Sequence, residues 1–413
     1  MFHLNKNNNN VIIDFKCDNK KYIDCGTNKF KKVIIALFLA GLATFSILYC
    51  VQPILPTFSS EFHLTPAQSS LSLSVTTATM AIGMLFTGSL SDTFGRKIVM
   101  SISLLLATFL TILCSAMHTW IEVIILRMLT GLSLSGVAAV AMTYLSEEIH
   151  PVVLPFAIGL YISGNTIGGF SGRFLSSVLV HYCSWERSLL IIGLVSLFGS
   201  LLFLFLLPSS NNFHSISLKP SKIIKSFFLQ CSDHILSVLF FIGFILMGSF
   251  VTLFNYVGYR LMIQPFFLNQ IVIGLLSVVY LTGAYSSPKS SEFILKYGRK
   301  NVLIYSLLLM ISGIIMTQWD ILIFIIFGLM LFSSGFFSAH SVSSSWVGYR
   351  SKVAKGQASS LYLCCYYLGS SILGTFGGIF WSLGNWFGIS IFIITILLIG
   401  IKIVHQLDTS ISD

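Results

Sequence analysis

Charge is scarce in this chain. Only 9% of its 413 residues are Asp, Glu, Lys or Arg, against about 25% in soluble domains. With 55% hydrophobic residues and a mean hydropathy of +0.88, it has too little polar surface to face water, so a bilayer is its solvent. Acidic residues are the rarest, 14 against 24 basic ones, for a net charge of +10. In a soluble protein that balance would suggest nucleic acid; here no nucleic-acid partner is expected, because where the charges fall matters more than their sum. The eight cysteines form no CxxC or Cys/His metal spacing. Cys50, Cys114, Cys364 and Cys365 lie in apolar runs as packing residues, which excludes a disulfide framework. Residues 1–32 lack a small-residue cleavage site. They are polar, with Asn7 to Asn10 in a row and seven lysines, and read as a cytoplasmic tail rather than a signal peptide. No His/Asp/Glu cluster, Ser–His pair or metal spacing falls in an apolar run, which argues against an enzyme. No added soluble domain is present to make a sensor.

What is present is a series of apolar segments, each near the ~20 residues a spanning helix needs. The hydropathy predicts twelve helices: 33–53, 69–89, 97–116, 120–145, 153–180, 188–207, 236–259, 270–289, 301–318, 321–347, 356–380 and 386–405. The longest interruption, 208–235, is polar and basic (Lys219, Lys222, Lys225). It divides the chain into a tail (1–32), a six-helix half (33–207), a central loop (208–235), a second half (236–405) and a short tail (406–413). With the N-terminus inside, 20 of the 24 basic residues lie on the cytoplasmic side, as the positive-inside rule requires. Both termini are therefore expected in the cytoplasm.

The halves repeat. Phe94-Gly-Arg-Lys97 after helix 2 returns as Tyr297-Gly-Arg-Lys300 after helix 8, and Leu160-Tyr161 returns as Leu361-Tyr362, at offsets of 203 and 201. Around the first turn, Gly88 and Gly95 permit close packing and reversal. Asp92 can accept N–H bonds from a helix N-terminus, where a carboxylate gains about 0.3–1 kcal/mol; the start of helix 11, near Gly356 and Gln357, is the expected donor. Arg96, followed by Lys97, is expected to pair with Glu147 or Glu148. Together these contacts would latch an outward-facing state and break on opening inward. The second copy has Leu295 opposite Asp92, keeping the turn and losing the carboxylate.

Two arginines lie inside spans. Arg127 in helix 4 sits about 10 Å within the outer boundary, a depth at which an ionisable group should face a cavity or partner. Glu122 lies about 140° around the helix from it and is a poor partner. Arg173 in helix 5 is also in the outer half, so a shared electropositive patch is expected. Helix 5 carries glycines 164, 168 and 172, a stripe that lets another helix approach closely, with Asn165 beside it. His340 in helix 10 is either a proton carrier or substrate contact, or is hydrogen-bonded to a neighbouring serine. Tyr49, Gln52, Asn255 and Tyr256, with Tyr259, make the outer ends of helices 1 and 7 polar and suit a substrate cavity. No Asp or Glu lies deep in a span, which leaves Asp92, Glu122 and His340 as proton candidates.

The run Gly88-Ser-Leu-Ser-Asp92-Thr-Phe-Gly95-Arg96-Lys97 resembles the signature G-x-x-x-D-R-x-G-R-[RK] of the major facilitator superfamily, with Thr93 in place of Arg. Arg127-Met-Leu-Thr-Gly131 resembles its intramembrane Arg-x-x-x-Gly motif, which implies a proton-relay or substrate-anion contact for Arg127, with an arginine snorkelling outward as the alternative. Gly164-Asn165-Thr-Ile-Gly168-Gly169 resembles the antiporter motif G-P-x-x-G-G, with Asn165 replacing proline. Leu48-Tyr-Cys-Val-Gln-Pro53, Met142 to Pro151, Gly159 to Gly169 and Lys355-Gly-Gln-Ala-Ser-Ser-Leu-Tyr362 are similar to the drug:proton antiporter and arabinose-efflux branch. The likeness covers about residues 33–405. It implies an all-α bacterial inner-membrane transporter, a monomer without cofactor that alternates access around a midplane site. It further implies coupling to the proton gradient and export of a small organic solute, sugar or drug-like, with proton-linked uptake as the alternative. Its partners would be that solute, protons and membrane lipid.

Overall fold

The computed structural model describes residues 22–213, 230–351 and 355–407. In the first half, α1 is Asn28–Tyr49, α2 Pro66–Phe94, α3 Arg96–Cys114, α4 Trp120–Glu148, α5 Leu154–Tyr182 and α6 Trp185–Leu206. In the second half, α7 is His234–Met262. A helix at Gln270–Leu275 and a 3-10 stretch at Leu276–Leu281 lead into the helical run Thr282–Met316, which breaks at Gly298 into α8 and α9. Then come α10, Leu322–Arg350, and the run Lys355–His405, which breaks at Gly384 and Asn385 into α11 and α12.

Among the described residues, nine helical runs are long and apolar enough to cross a membrane. Two of them contain the breaks just named, and α5, at 29 residues, completes the twelve crossings. The second reversal is visible in the rings of Phe380 and Phe392, which stack with centroids 4.3 Å apart. Twelve residues along a straight helix would separate them by about 18 Å.

The helices run a few residues beyond the apolar segments because their caps are polar. Thr27 accepts from Phe30 N and starts α1 at residue 28, not 33. Thr65 with Gln68, and Thr119 with Glu122, form capping boxes at α2 and α4. Each satisfies backbone donors that the first helical turn leaves free. Glu122 is thereby committed to a cap at the outer surface. Gly95 (φ 100, ψ 144) and Gly298 (φ 76, ψ 158) turn the chain with nearly the same backbone geometry, in a region that only glycine enters freely. The repeated turn is thus a repeated conformation.

The glycine stripe has its partner. A Cβ on Gly164, Gly168 or Gly172 would collide with Phe38, Leu42 and Ser46 of α1 in turn, a step of four on both helices. The second half copies this: Gly369 and Gly377 of α11 lie against Phe244 and Thr252 of α7.

The halves join at their outer ends. Gln52 Nε2 donates to Asn255 Oδ1 (2.7 Å), Tyr259 OH bonds Ser59 (2.8 Å) and Ser69 (2.7 Å), and Thr375 bonds Ser74 (2.7 Å). Ser177 donates to Gln270 O, and Gln270 Nε2 to Pro53 O. Gly378 of α11 abuts Ala67 of α2. Towards the cytoplasm the first half keeps its own apolar core, built on Val33, Leu37, Val137, Tyr144 and Tyr161, separate from the core that runs through the outer region and the second half. Among the described residues the polar contacts between the halves gather at their outer ends, as in an inward-facing arrangement.

Before α1 the described tail residues pack on the α4–α5 connection. Ile23 forms a β-bridge with Ile149 (Ile23 N to Glu148 O, 2.8 Å), and Tyr22 meets His150 edge-on. The tail lysines up to residue 21 and the central-loop lysines lie outside the described residues.

Candidate functional site

At the inner surface, Arg96 gathers the acidic groups. It donates Nε to Glu147 Oε2 (3.1 Å) and Nη2 to Glu147 Oε1 (2.7 Å), and its Nη1 lies 2.5 Å from Asp92 Oδ1. Of the two expected partners it takes Glu147, in a bidentate pair of the stronger kind. Glu148 is buried and instead accepts Asn212 N (2.8 Å) at the start of the central loop. Lys97 makes no ion pair among the described residues. The pairing corrects one expectation. Arg96–Glu147 joins α3 to α4 within a single half, so rocking of the halves would not break it. Asp92 bonds to Arg96 in this state. Gly88 has open space where a Cβ would go, which leaves room for a second helix to close on it. In the second half Arg299 lies over the Tyr349 ring (4.1 Å) rather than on a carboxylate, and Leu295 is 90% exposed.

Arg127 is fully buried and does not face the centre. Its Nε donates to Ser72 O (3.1 Å), Nη1 to Ile47 O (3.1 Å) and Nη2 to Leu48 O (3.0 Å). The reason lies in α1, which ends at Tyr49 ahead of Pro53. The last carbonyls of a helix have no intrahelical donor and carry the negative end of its dipole. Arg127 caps two of them, and Ser176 takes Cys50 O (2.6 Å). Gly131, one turn on, lies against Thr76 of α2. The Arg-x-x-x-Gly motif therefore docks α4 onto α1 and α2. The expected substrate or proton role and the shared patch with Arg173 give way to a structural clamp, because all three nitrogens are occupied.

Arg173 is placed differently. From α5 it reaches between the halves, Nε to Gln52 Oε1 (2.6 Å) and Nη1 to Gly169 O (2.7 Å). Its guanidinium carbon is 3.9 Å from the Tyr49 ring centre and 4.7 Å from that of Tyr280. Such cation–π contacts contribute about 0.5–2 kcal/mol each. Gln52 passes the contact on to Asn255, so Tyr49, Gln52, Arg173 and Asn255 form one chain across both halves. Tyr256 stands apart: its hydroxyl donates to Gly374 O (3.0 Å) of α11, and it serves packing. Asn165 also faces away, its Oδ1 against Gly41 of α1.

His340 lies within the aromatic lining of the centre. Its Nδ1 is 2.9 Å from Tyr362 OH, and its ring sits 4.7 Å from Tyr366 and 6.1 Å from Phe336. The serine partner expected from sequence is not used. Ser338 and Ser341 bond backbone carbonyls of α8 instead. Phe336 stacks on Phe250 (4.0 Å), and Phe250 and Phe254 meet Tyr280 (5.1 and 4.6 Å). A chain of ring contacts thus runs from Tyr49 and Arg173 across to His340. Tyr280, Phe250, Phe336, Tyr362 and Tyr366 were not singled out from sequence as site residues, because phenylalanine and tyrosine are common throughout these spans.

The sequence pattern of the family described as Major Facilitator Superfamily matches residues 34–289. An uncharacterized transporter of Buchnera aphidicola subsp. Baizongia pistaciae is 61% identical over 93% of this chain and 95% of its own length. The inner membrane transport protein YnfM of Escherichia coli is 55% identical, with coverage of 93% and 92%. The crystal structure of a bacterial homolog to the human lysosomal transporter Spinster, inward-facing and occupied, superposes with a TM-score of 0.73 at 12% identity. It covers 92% of this chain and 97% of its own.

Proposed function

Because the chain belongs to the major facilitator superfamily, and is thereby a multi-pass secondary transporter of the inner membrane, we propose that it is a proton-coupled exporter of a small organic solute. The solute binds at the centre between Arg173 and His340, and the halves rock around it. One observation carries the reading. The halves are sealed outside by the Gln52–Asn255 and Tyr259 hydrogen bonds, while a cationic, aromatic centre lies at the point where their cores part. A site at that point is exposed to one side at a time when the halves tilt.

Two features support exchange for protons. The described carboxylates all lie in loops or near helix ends, so the membrane interior offers His340 as its histidine, with the Tyr362 hydroxyl in contact to exchange a proton. The other histidines of the described region lie in loops or near helix ends. The glycine run on α5 that resembles the antiporter motif packs α5 onto α1, the two helices that carry Arg173 and Tyr49.

The test is flux in vesicles containing the purified protein. An acid interior should drive accumulation of solute in inside-out vesicles, and an uncoupler should abolish it. Uncoupler-sensitive flux of the opposite sense would replace export by proton-linked uptake. Gradient-independent flux would remove proton coupling.

A further inference from the structure

Arg173 differs from the other buried arginines in what neutralises it. Arg96 has Glu147 and Asp92, Arg260 has Asp320 (3.0 Å), and Arg127 has the carbonyl end of α1. Arg173 is 4% exposed and has one amide oxygen, one carbonyl and two ring faces, with no carboxylate among the described residues. Desolvating an unpaired cation costs several kcal/mol, which cation–π contacts offset only in part.

The groups around it are also one-sided. Its Nη2 has no protein partner among the described residues. Asn255 spends its oxygen on Gln52 and leaves Nδ2 buried and unpartnered, and the Tyr280 hydroxyl is buried and unpartnered as well. Gln52, Arg173, Asn255 and Ser277 line a cavity of about 30 Å³, enough for a small head group and no more. The cation's own free Nη2 and two unspent groups, with no carboxylate among the described residues to compete, form the complement of an acceptor-only group. Beyond it, the Tyr49 and Tyr280 rings that flank the guanidinium connect through Phe250 and Phe336 to His340 and Tyr366.

We infer that the transported solute is a small aromatic monocarboxylate. Its carboxylate meets Arg173 Nη2 with Asn255 Nδ2 and the Tyr280 hydroxyl, and its ring lies towards the ring cluster that leads to His340. A charge-assisted bond to guanidinium is about twice as strong as a neutral one, so the charged head should dominate recognition. The inference deepens the transport reading above and rests on it for placing this site on the transport path.

The experiment is equilibrium thermal stabilisation of the purified full-length protein by benzoate, by its neutral isostere benzamide, and by benzylamine, at constant ionic strength. Benzoate should bind at least about tenfold more tightly than either, ~1.4 kcal/mol, and Arg173→Gln should abolish the difference. Should that variant not fold, Asn255→Asp replaces the free Nδ2 donor with a carboxylate oxygen that repels the solute's head, and should erase benzoate stabilisation while leaving a folded protein. Equal binding of benzamide or benzylamine, benzoate stabilisation that survives Asn255→Asp, or no stabilisation at about 10 mM would overturn the inference. Binding needs no gradient, so the two readings fail separately. Gradient-independent flux would remove proton coupling and leave the substrate class, whereas loss of the benzoate–benzamide difference would do the reverse.

Discussion

Consider Gly172→Ala. The added methyl would lie 2.6 Å from Ser46 Cα and 2.7 Å from Ser46 O, where carbon contacts are comfortable at about 3.5–4.0 Å. Both atoms are backbone, so no rotamer change relieves the clash, and α5 must retreat from α1 by about 1 Å. Overpacking of this kind costs about 1–3 kcal/mol. One turn away, the bond from Ser46 Oγ to Gly168 O (3.0 Å) would be stretched, adding about 0.5–1.5 kcal/mol. A loss of about 2–4 kcal/mol is expected. Transport should fall with it, because Arg173 is the next residue and its ring partner Tyr49 sits on the helix being pushed away. Thermal melts of purified protein in detergent, run beside flux in vesicles, read both effects. Gly159→Ala is the control on the same helix. Nothing lies within 4 Å of its Cβ position, so it should gain about 1 kcal/mol of helix propensity. If the two variants melt alike, the close seam between α1 and α5 is not what holds the site.

Arg127→Lys should destabilise the protein by about 2–5 kcal/mol, since one ammonium cannot follow three divergent carbonyls and leaves buried acceptors unpaired; a melt within a degree of wild type would restore a functional role for Arg127. Asp92→Asn should lower transport with expression and insertion largely intact, and wild-type turnover would end the latch reading of this motif. His340→Gln should retain gradient-independent solute exchange but lose the dependence of net flux on an imposed pH gradient. Flux that still follows the gradient would place the proton elsewhere.

Much of the architecture was legible in the sequence because membrane spans and their turns leave local marks. The cap at Thr65 lies outside the apolar run, which is why hydropathy began helix 2 at 69 rather than 66, whereas helix 4 begins at 120 as predicted and runs on only at its charged Glu147–Glu148 end. The stripe of glycines 164, 168 and 172 announced close packing without naming α1 as the partner, because the partner's contacting surface is backbone. The two intramembrane arginines show the limit most clearly. Arg127 and Arg173 look alike in sequence, each in the outer half of a span and near glycine. What separates them is where α1 ends: its free carbonyls at Ile47 and Leu48 claim Arg127, while Arg173 meets ring faces from Tyr49 and Tyr280. The latter lies 107 residues further on and is brought to Arg173 only by the packing of the second half.

The outer seal has an energetic consequence. Among the described residues it contains six hydrogen bonds between the halves, from hydroxyls and amides. Water can replace each one, so their net worth is about 0.5–1.5 kcal/mol apiece, or about 3–9 kcal/mol together. One charge moving through 100 mV releases about 2.3 kcal/mol, and a proton falling one pH unit about 1.4 kcal/mol. The seal is therefore matched to the electrochemical work of roughly one to two protons. A greasier seam of the same extent would stay shut against such a force, and a purely charged one would be weakened by salt.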